Sequence, residues 1–257
     1  MRIHETAIIH PKAELGEDVE VGPFSIIDED VKIGAKTKIG PYVHVKKWSI
    51  IGEDCEIYES VVIGSEPKDL KYKPGDRSFV IIGDRNNIHE YTSIARPTGT
   101  DEVTLLGNDN LLMSYVHIAH DCIIGNRTIL ASFATLGGHV IVEDKAIIGA
   151  QSSMHQFVRI GTMAFAGACA KIVQDVPPYM IADGYPASVR CLNTVGLIRN
   201  GMSSETRLLL KRVFKILFRS NLNRTQAVDK IRKEIEMCDE IEYLLKFIEA
   251  SKRGIGV

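Results

Sequence analysis

The sequence predicts a parallel β-helix followed by a helical tail, and three observations carry that prediction. An aliphatic residue stands at every sixth position over most of the first 176 residues. From Ile3 the series runs through Ile9, Leu15, Val21, Ile27, Ile33, Ile39, Val45, Ile51 and Ile57 to Ile63; it resumes at Ile82, Ile88 and Ile94, and again from Leu106 to Ile172. A second register, four residues after each aliphatic, is small or β-branched: Ala7, Ala13, Val19, Ser25, Val31, Thr37 and Val43, and later Val116, Cys122, Thr128, Ala134, Val140 and Ala146. After Pro177-Pro178 the six-residue beat ends and helical spacing replaces it.

A period of six suits neither an α-helix nor a lone alternating strand, so a repeat architecture is indicated. Three strand-plus-turn units close a triangular coil of about 18 residues, and successive coils stack as parallel strands about 4.8 Å apart. The large aliphatic fills the interior near a corner. The small residue four places later also points inward, where a bulky side chain would collide with its stacked neighbours. Glycine follows many of the aliphatics, as at Gly16, Gly107 and Gly125, and permits the backbone of a tight corner.

Two stretches, 65–80 and 95–105, cannot be hexads and are expected to leave the prism as loops. Loops borne on a rigid scaffold concentrate binding groups. The first carries Lys68, Asp69, Lys71 and Lys73, a charge density that a plain solvated excursion would show equally well. Beyond the prolines, Ser203 or Ser204 is suited to cap a helix running to about Arg219, with Leu208, Leu209, Val213, Ile216 and Leu217 along one side. Asn223 with Gln226 forms a capping-box pattern for a second helix to about Glu236, and a third is expected from about Asp239 to Lys252. The β-helix with its two excursions is thus expected over 1–190 and an α-helical C-terminal domain over 191–257.

Composition narrows the functional classes. A net charge of −2 gives no reason to expect nucleic acid or an anionic membrane as a partner. No basic segment followed by an apolar run opens the chain, and no apolar run reaches transmembrane length. The five cysteines (Cys55, Cys122, Cys169, Cys191 and Cys238) lack metal-type spacing, so a reduced, cytoplasmic protein without a bound metal is the simplest reading.

Stacking places the chemistry. The hexads beginning at Ile118, Leu136 and Met154 are 18 residues apart and share one face, so His120, Gly138 and Gln156 form a column. His139 and His155 stand beside it, and Asp121 follows His120 directly. A single surface histidine is usually inert; three of them converging with an aspartate and a bare glycine backbone point to proton transfer near neutral pH. The N–H of Gly138 could face a developing oxyanion. A flat prism face has no deep pocket, so association of subunits would supply a second wall.

The segments NDNLLMSYVHIAHDC (108–122), LGGHV (136–140), HQF (155–157) and QDVPPY (174–179) together resemble the UDP-N-acetylglucosamine acyltransferases, and the resemblance spans the whole chain, including IGSEPKDLKY and the tail. It implies a left-handed coil, against the usual crossover hand, and a homotrimer. It implies transfer of a (R)-3-hydroxyacyl group from acyl carrier protein to the glucosamine 3-hydroxyl of UDP-N-acetylglucosamine, the first step of lipid A synthesis, with no cofactor. It makes His120 the general base, Asp121 its orienting partner and the N–H of Gly138 the oxyanion donor. Asp69 and Lys71 of the loop, with His139 and Gln156 of the face, are expected to contact the sugar nucleotide. His117, His155, Asn193 and Arg199 are expected near the nucleotide or in support of the site. Ala168 matches a glycine at the far end of the family's acyl groove; its methyl predicts a preference about two to four carbons shorter than the longest chains used.

Two positions depart from the family pattern: Val195 stands where an acidic residue is common, and Arg199-Asn200 replaces an arginine pair. A 3-amino analogue of the acceptor, giving an amide, is therefore an alternative. Two other readings compete. A zinc lyase resembling the γ-class carbonic anhydrases shares the prism and its histidines but not the KDLK loop or the tail. A non-catalytic β-helix would not gather His and Asp on one face. The N-acyltransferases of the same pathway carry a separate N-terminal domain, whereas hexads here start at Ile3.

Overall fold

The computed structural model describes residues 1–70, 72–73 and 75–256. Its pairing register is the sequence period made physical. Residues 18 apart lie side by side in parallel, as Ile3↔Val21, Ile118↔Leu136 and Leu136↔Met154. Among the described residues the strands form three sheets. Sheet A has 11 strands, from Arg2–Ile3 to Ala187–Leu192; sheet B has nine, from Ile8–Ile9 to Lys171–Ile172; sheet C has eight, from Glu14–Leu15 to Arg159–Ile160. The three walls make a left-handed parallel β-helix.

The interior is a single continuous stack. Every large aliphatic from Val21 to Ile172 on the six-residue beat is buried, and the small register is buried with it. Cys55 and Cys122 belong to that small register, and burial pushes both thiols up in pKa, Cys122 to about 12, so they pack as small apolar residues. Most corners place one non-glycine residue at left-handed φ, for example Asp121 at 61°, His139 at 60° and Phe157 at 67°. That conformation is costly for L-residues, and each coil offsets it with a hydrogen bond along the stack. The N–H of His139 donates to the His120 carbonyl at 3.0 Å, and that of Phe157 to the Gly138 carbonyl at 3.0 Å.

Both loops are shorter than the sequence suggests. Strands Val62–Ser65, Phe79–Ile82, Ser93–Ala95 and Val103–Leu106 run past the hexad boundaries, which leaves 66–78 and 96–102 as excursions. The cause is a four-residue ladder, Phe79↔Val103 through Ile82↔Leu106, which alternates inward and outward and so extends the wall. The six-residue beat ends at Pro177-Pro178, but the coil continues past it. Met180–Gly184 still pairs in parallel with Phe165–Ala166, and only then does Ala187–Leu192 fold back antiparallel. The prolines precede the strand and withdraw no donor from its ladder.

Helix α1 (Thr194–Arg199) is too short to show periodicity and is absent from the sequence reading. Helix α2 (Ser204–Arg219) starts on the Ser203 cap; α3 (Arg224–Glu234) carries the Asn223–Gln226 capping box; α4 (Asp239–Ala250) follows. They enclose a second core around Met180, Leu197, Leu210, Val213, Ile231 and Leu244. Arg159 lies over the Phe247 ring at 4.4 Å, and Tyr243 bonds Glu143, which together tie α4 to the prism.

The small register has no spare volume: Val116, Ala134, Ser152 and Ala170 stack one above another, all buried. Ala134→Leu is expected to cost about 1–3 kcal/mol by overpacking, read as a lower denaturant midpoint at unchanged slope.

Candidate active site

The corner between sheets B and C gathers the site. His120 follows the strand His117–Ile118, and Asp121 occupies the left-handed corner position, a conformation Asp tolerates better than most. The turn brings the carboxylate of Asp121 under the neighbouring ring, with His120 Nδ1 2.7 Å from Asp121 Oδ2. A carboxylate can only accept, so Nδ1 carries a proton and Nε2 is the nitrogen turned away from that bond. Both side chains are largely shielded, 12% and 7% exposed.

Asp121 is itself held in place. Thr98 donates to Oδ2 through its N–H at 3.3 Å and its hydroxyl at 3.1 Å, and the Asp121 N–H donates to the Thr104 hydroxyl at 2.9 Å. Burial pushes its carboxyl up, but hydrogen bonds from His120, Glu102 and Thr98, with the charge of His139, hold it below the usual carboxylate range. Glu102 moves the other way: hydrogen bonding to Asp121, then burial, raises its carboxyl above the usual range. Glu102 was missed in the sequence because it sits in an irregular loop with no period to place it.

Gly138 lies against the His120 ring. A Cβ built on it would stand 2.3 Å from His120 Cε1 and 2.7 Å from Nε2. The glycine is therefore required for two reasons, an unshielded N–H and the room that the imidazole occupies. His139 sets its ring edge-on to His120 at 5.4 Å, stacks on Phe157 at 4.5 Å, and brings Nε2 to 3.6 Å from Asp121 Oδ2. Asp69 of the first loop faces the far side of the His120 ring, with Oδ2 3.8 Å from Nε2. His117 hydrogen-bonds Ser93 through Nδ1 at 2.8 Å; burial, then Lys68, lowers its pKa, so it is a neutral ring. His155 and Gln156 are exposed on the next coil, where His155 Nδ1 meets the Gln156 carbonyl at 3.1 Å. Lys71 lies outside the described residues.

Not every expected residue joins this cluster. Asn193 caps α1: its side chain accepts from the Gly196 N–H at 3.1 Å and donates to the Met163 carbonyl at 2.8 Å. Both halves of the amide are thus engaged near the C–A corner, not the B–C corner. Arg199 is exposed on the same short helix, and Val195 and Asn200 flank it; Asn200 closes the helix by donating to the Gly196 carbonyl at 2.9 Å. Ala168 is exposed at the A–B corner, across sheet B from His120. His120, Asp121 and His139 could offer two imidazole nitrogens and a carboxylate oxygen to a cation. Asp121 Oδ2 is, however, already the acceptor for His120 and Thr98, an arrangement that serves a proton-transfer dyad.

A stacked prism with a corner His–Asp dyad and a glycine beneath it defines a hexapeptide-repeat acyltransferase. Residues 30–65 and 104–138 match the model of the bacterial transferase hexapeptide (six repeats), and 175–256 match that of domain 2 of UDP-N-acetylglucosamine O-acyltransferase. The acyl-[acyl-carrier-protein]--UDP-N-acetylglucosamine O-acyltransferase of Thermodesulfovibrio yellowstonii is 48% identical over 254 residues, 98% of each chain. The enzyme of the same name from a Sulfurihydrogenibium strain is 51% identical over 257 residues, covering 100% of this chain and 94% of its own. The crystal structure of a UDP-N-acetylglucosamine acyltransferase from Bacteroides fragilis superposes with a TM-score of 0.96 at 40% identity, covering 98% of both chains. The chain belongs to the UDP-N-acetylglucosamine O-acyltransferase family.

Gly138→Ala tests the geometry. The added methyl displaces the ring, and turnover is expected to fall about 10²-fold or more, with the thermal midpoint nearly unchanged because the ring lies at a corner, outside the apolar stack. Near-normal turnover in the folded variant would separate the ring position from the chemistry.

Proposed function

We propose that the chain moves a (R)-3-hydroxyacyl group from acyl carrier protein to the 3-hydroxyl of the glucosamine of UDP-N-acetylglucosamine, the first step of lipid A synthesis. The observation that carries this reading is the His120–Asp121 dyad standing over Gly138. Nε2 of His120 removes the proton of the sugar hydroxyl as its oxygen attacks the thioester carbonyl. The N–H of Gly138 donates to the oxyanion. Collapse of the tetrahedral intermediate breaks the carbon–sulfur bond, and the imidazolium returns its proton to the carrier thiolate. Asp121 keeps the ring in the Nδ1–H tautomer and stabilises its charged form. No acyl-enzyme is required, and no activated Ser or Cys accompanies His120 among the described residues.

Asp69, with Lys71, His139 and Gln156, would hold the sugar nucleotide, and His117 and His155 would support it. The ester acceptor is favoured over the 3-amino analogue because the relatives are named O-acyltransferases. A homotrimer completes this reading, since Asn193 and Arg199 stand apart from the dyad in one chain and reach it only from a neighbouring copy. No described helix is long and apolar enough to cross a membrane. Five unpaired cysteines support work in the cytoplasm.

The acyl chain is proposed to run from His120 across the outer face of sheet B, past the small exposed side chains of Thr135 and Ser153, to Ala168 at the opposite edge. Three strand spacings separate the two ends along the stack, about 14 Å at 4.8 Å per step.

His120→Ala is expected to lower turnover by about 10²–10⁴-fold without loss of fold or assembly; a folded, assembled variant of near-normal rate would remove the base. Asp121→Asn is expected to be milder. Ala168→Gly should shift preference toward longer acyl chains and Ala168→Met sharply shorter, read as relative kcat/KM over a chain-length series. Unchanged profiles in both would place the end of the groove elsewhere.

A further inference from the structure

Arg96 is the only lysine or arginine buried among the described residues, at 2% exposure, and the proton-transfer chemistry does not use it. It begins the second excursion. Its N–H donates to the Ser65 carbonyl at 2.8 Å, where the first excursion departs. Its guanidinium lies over the Trp48 ring at 4.8 Å, donates through Nη2 to the Tyr72 hydroxyl at 3.2 Å and stands 3.7 Å from Glu66 Oε1. Glu66 and Tyr72 bracket Asp69 in sequence. Two residues beyond Arg96, Thr98 grips Asp121. One cation thus joins the loop that carries Asp69 to the loop that holds the catalytic carboxylate.

The interaction is poor as a stabilising device. Nε and Nη1 are buried without a hydrogen-bond partner. A buried cation with unmet donors is commonly replaceable by an apolar side chain of similar volume at little or no loss of stability. Its presence is explained better by the position it imposes on two loops than by what it adds to the fold.

We infer that Arg96 is a positioning residue that clamps the first loop against the second, so that Asp69 is set opposite Nε2 of His120 before the acceptor arrives. This rests on the reading of Asp69 as an acceptor contact and of His120–Asp121 as the base. Freeing the loop would weaken ground-state binding of the acceptor and leave the dyad, which Thr98 and Thr104 still hold, nearly as competent.

The test compares Arg96→Met, Arg96→Lys and Asp69→Asn in the full-length protein. Arg96→Met is expected to raise KM for UDP-N-acetylglucosamine about tenfold with kcat within about threefold. Its thermal midpoint should stay within about 2 °C or rise. Trypsin should cut after Arg77 several-fold faster than in the parent, with the prism left intact. Arg96→Lys keeps the charge over Trp48 but loses the fork, and its KM should fall between the two. An unchanged KM in Arg96→Met beside a raised KM in Asp69→Asn would overturn the clamp alone. An unchanged KM in Asp69→Asn would overturn the reading of the site on which the clamp depends. Loss of the folded protein in both Arg96 variants, or a KM change that tracks a large drop in thermal midpoint, would make Arg96 a stabilising residue and end the inference.

Discussion

Vertical registration between coils is the constraint on which everything else depends. An inward residue touches the residues 18 positions before and after it, so each position is fixed by two neighbours of its own kind. The large aliphatics stack on aliphatics and the small residues on small ones, and the prism closes without voids large enough to admit variety. A cavity or an intruding ring anywhere in the stack would propagate to the coils on either side. The interior therefore cannot host chemistry, and function is displaced to corners and loops.

Corners are well suited to receive it. Each one turns a side chain outward at a fixed height and presents N–H groups that the sheets do not use. At the B–C corner, adjacency in sequence becomes a hydrogen-bonded pair: the left-handed φ of Asp121 swings its carboxylate beneath the His120 ring, and Thr98 and Thr104 hold it there. The same corner one coil later supplies Gly138, whose missing side chain is filled by the imidazole. Glu102 shows how the second loop adjusts this pair. The contact raises the Glu102 carboxyl, while hydrogen bonds from His120, Glu102 and Thr98 hold that of Asp121 down.

Most of this was legible in the sequence because a strict period converts numbering into position. The column His120, Gly138, Gln156 needed only the spacing 18, and the helix caps at Ser203 and Asn223 were declared by their own side chains. What escaped was whatever lay off the period. The pairing of Phe79–Ile82 with Val103–Leu106 shortened both loops, and neither Arg96 nor Glu102 could be placed by counting. Helix α1 was too short to announce itself, and nothing in the residue type of its Asn193 cap declared that the side chain is engaged at both ends by backbone.

Those off-period groups also explain how a flat face is made selective. In the proposed reading, sheet B offers the acyl chain a strip of small outward side chains, Ser93, Thr135 and Ser153, beside His117. Such a strip can carry an apolar chain but cannot fix its orientation, because it presents no enclosing wall. Orientation has to come from the two excursions and, in the proposed assembly, from a neighbouring copy. The loops are polar and short, so their order depends on interactions with the rigid prism below. Arg96 provides one through Trp48, which sits at the B–C corner of an earlier coil, and Thr98 provides the other through Asp121. The scaffold thus contributes twice, holding the His120–Asp121 pair directly and holding the loops that, in the proposed reading, meet the acceptor.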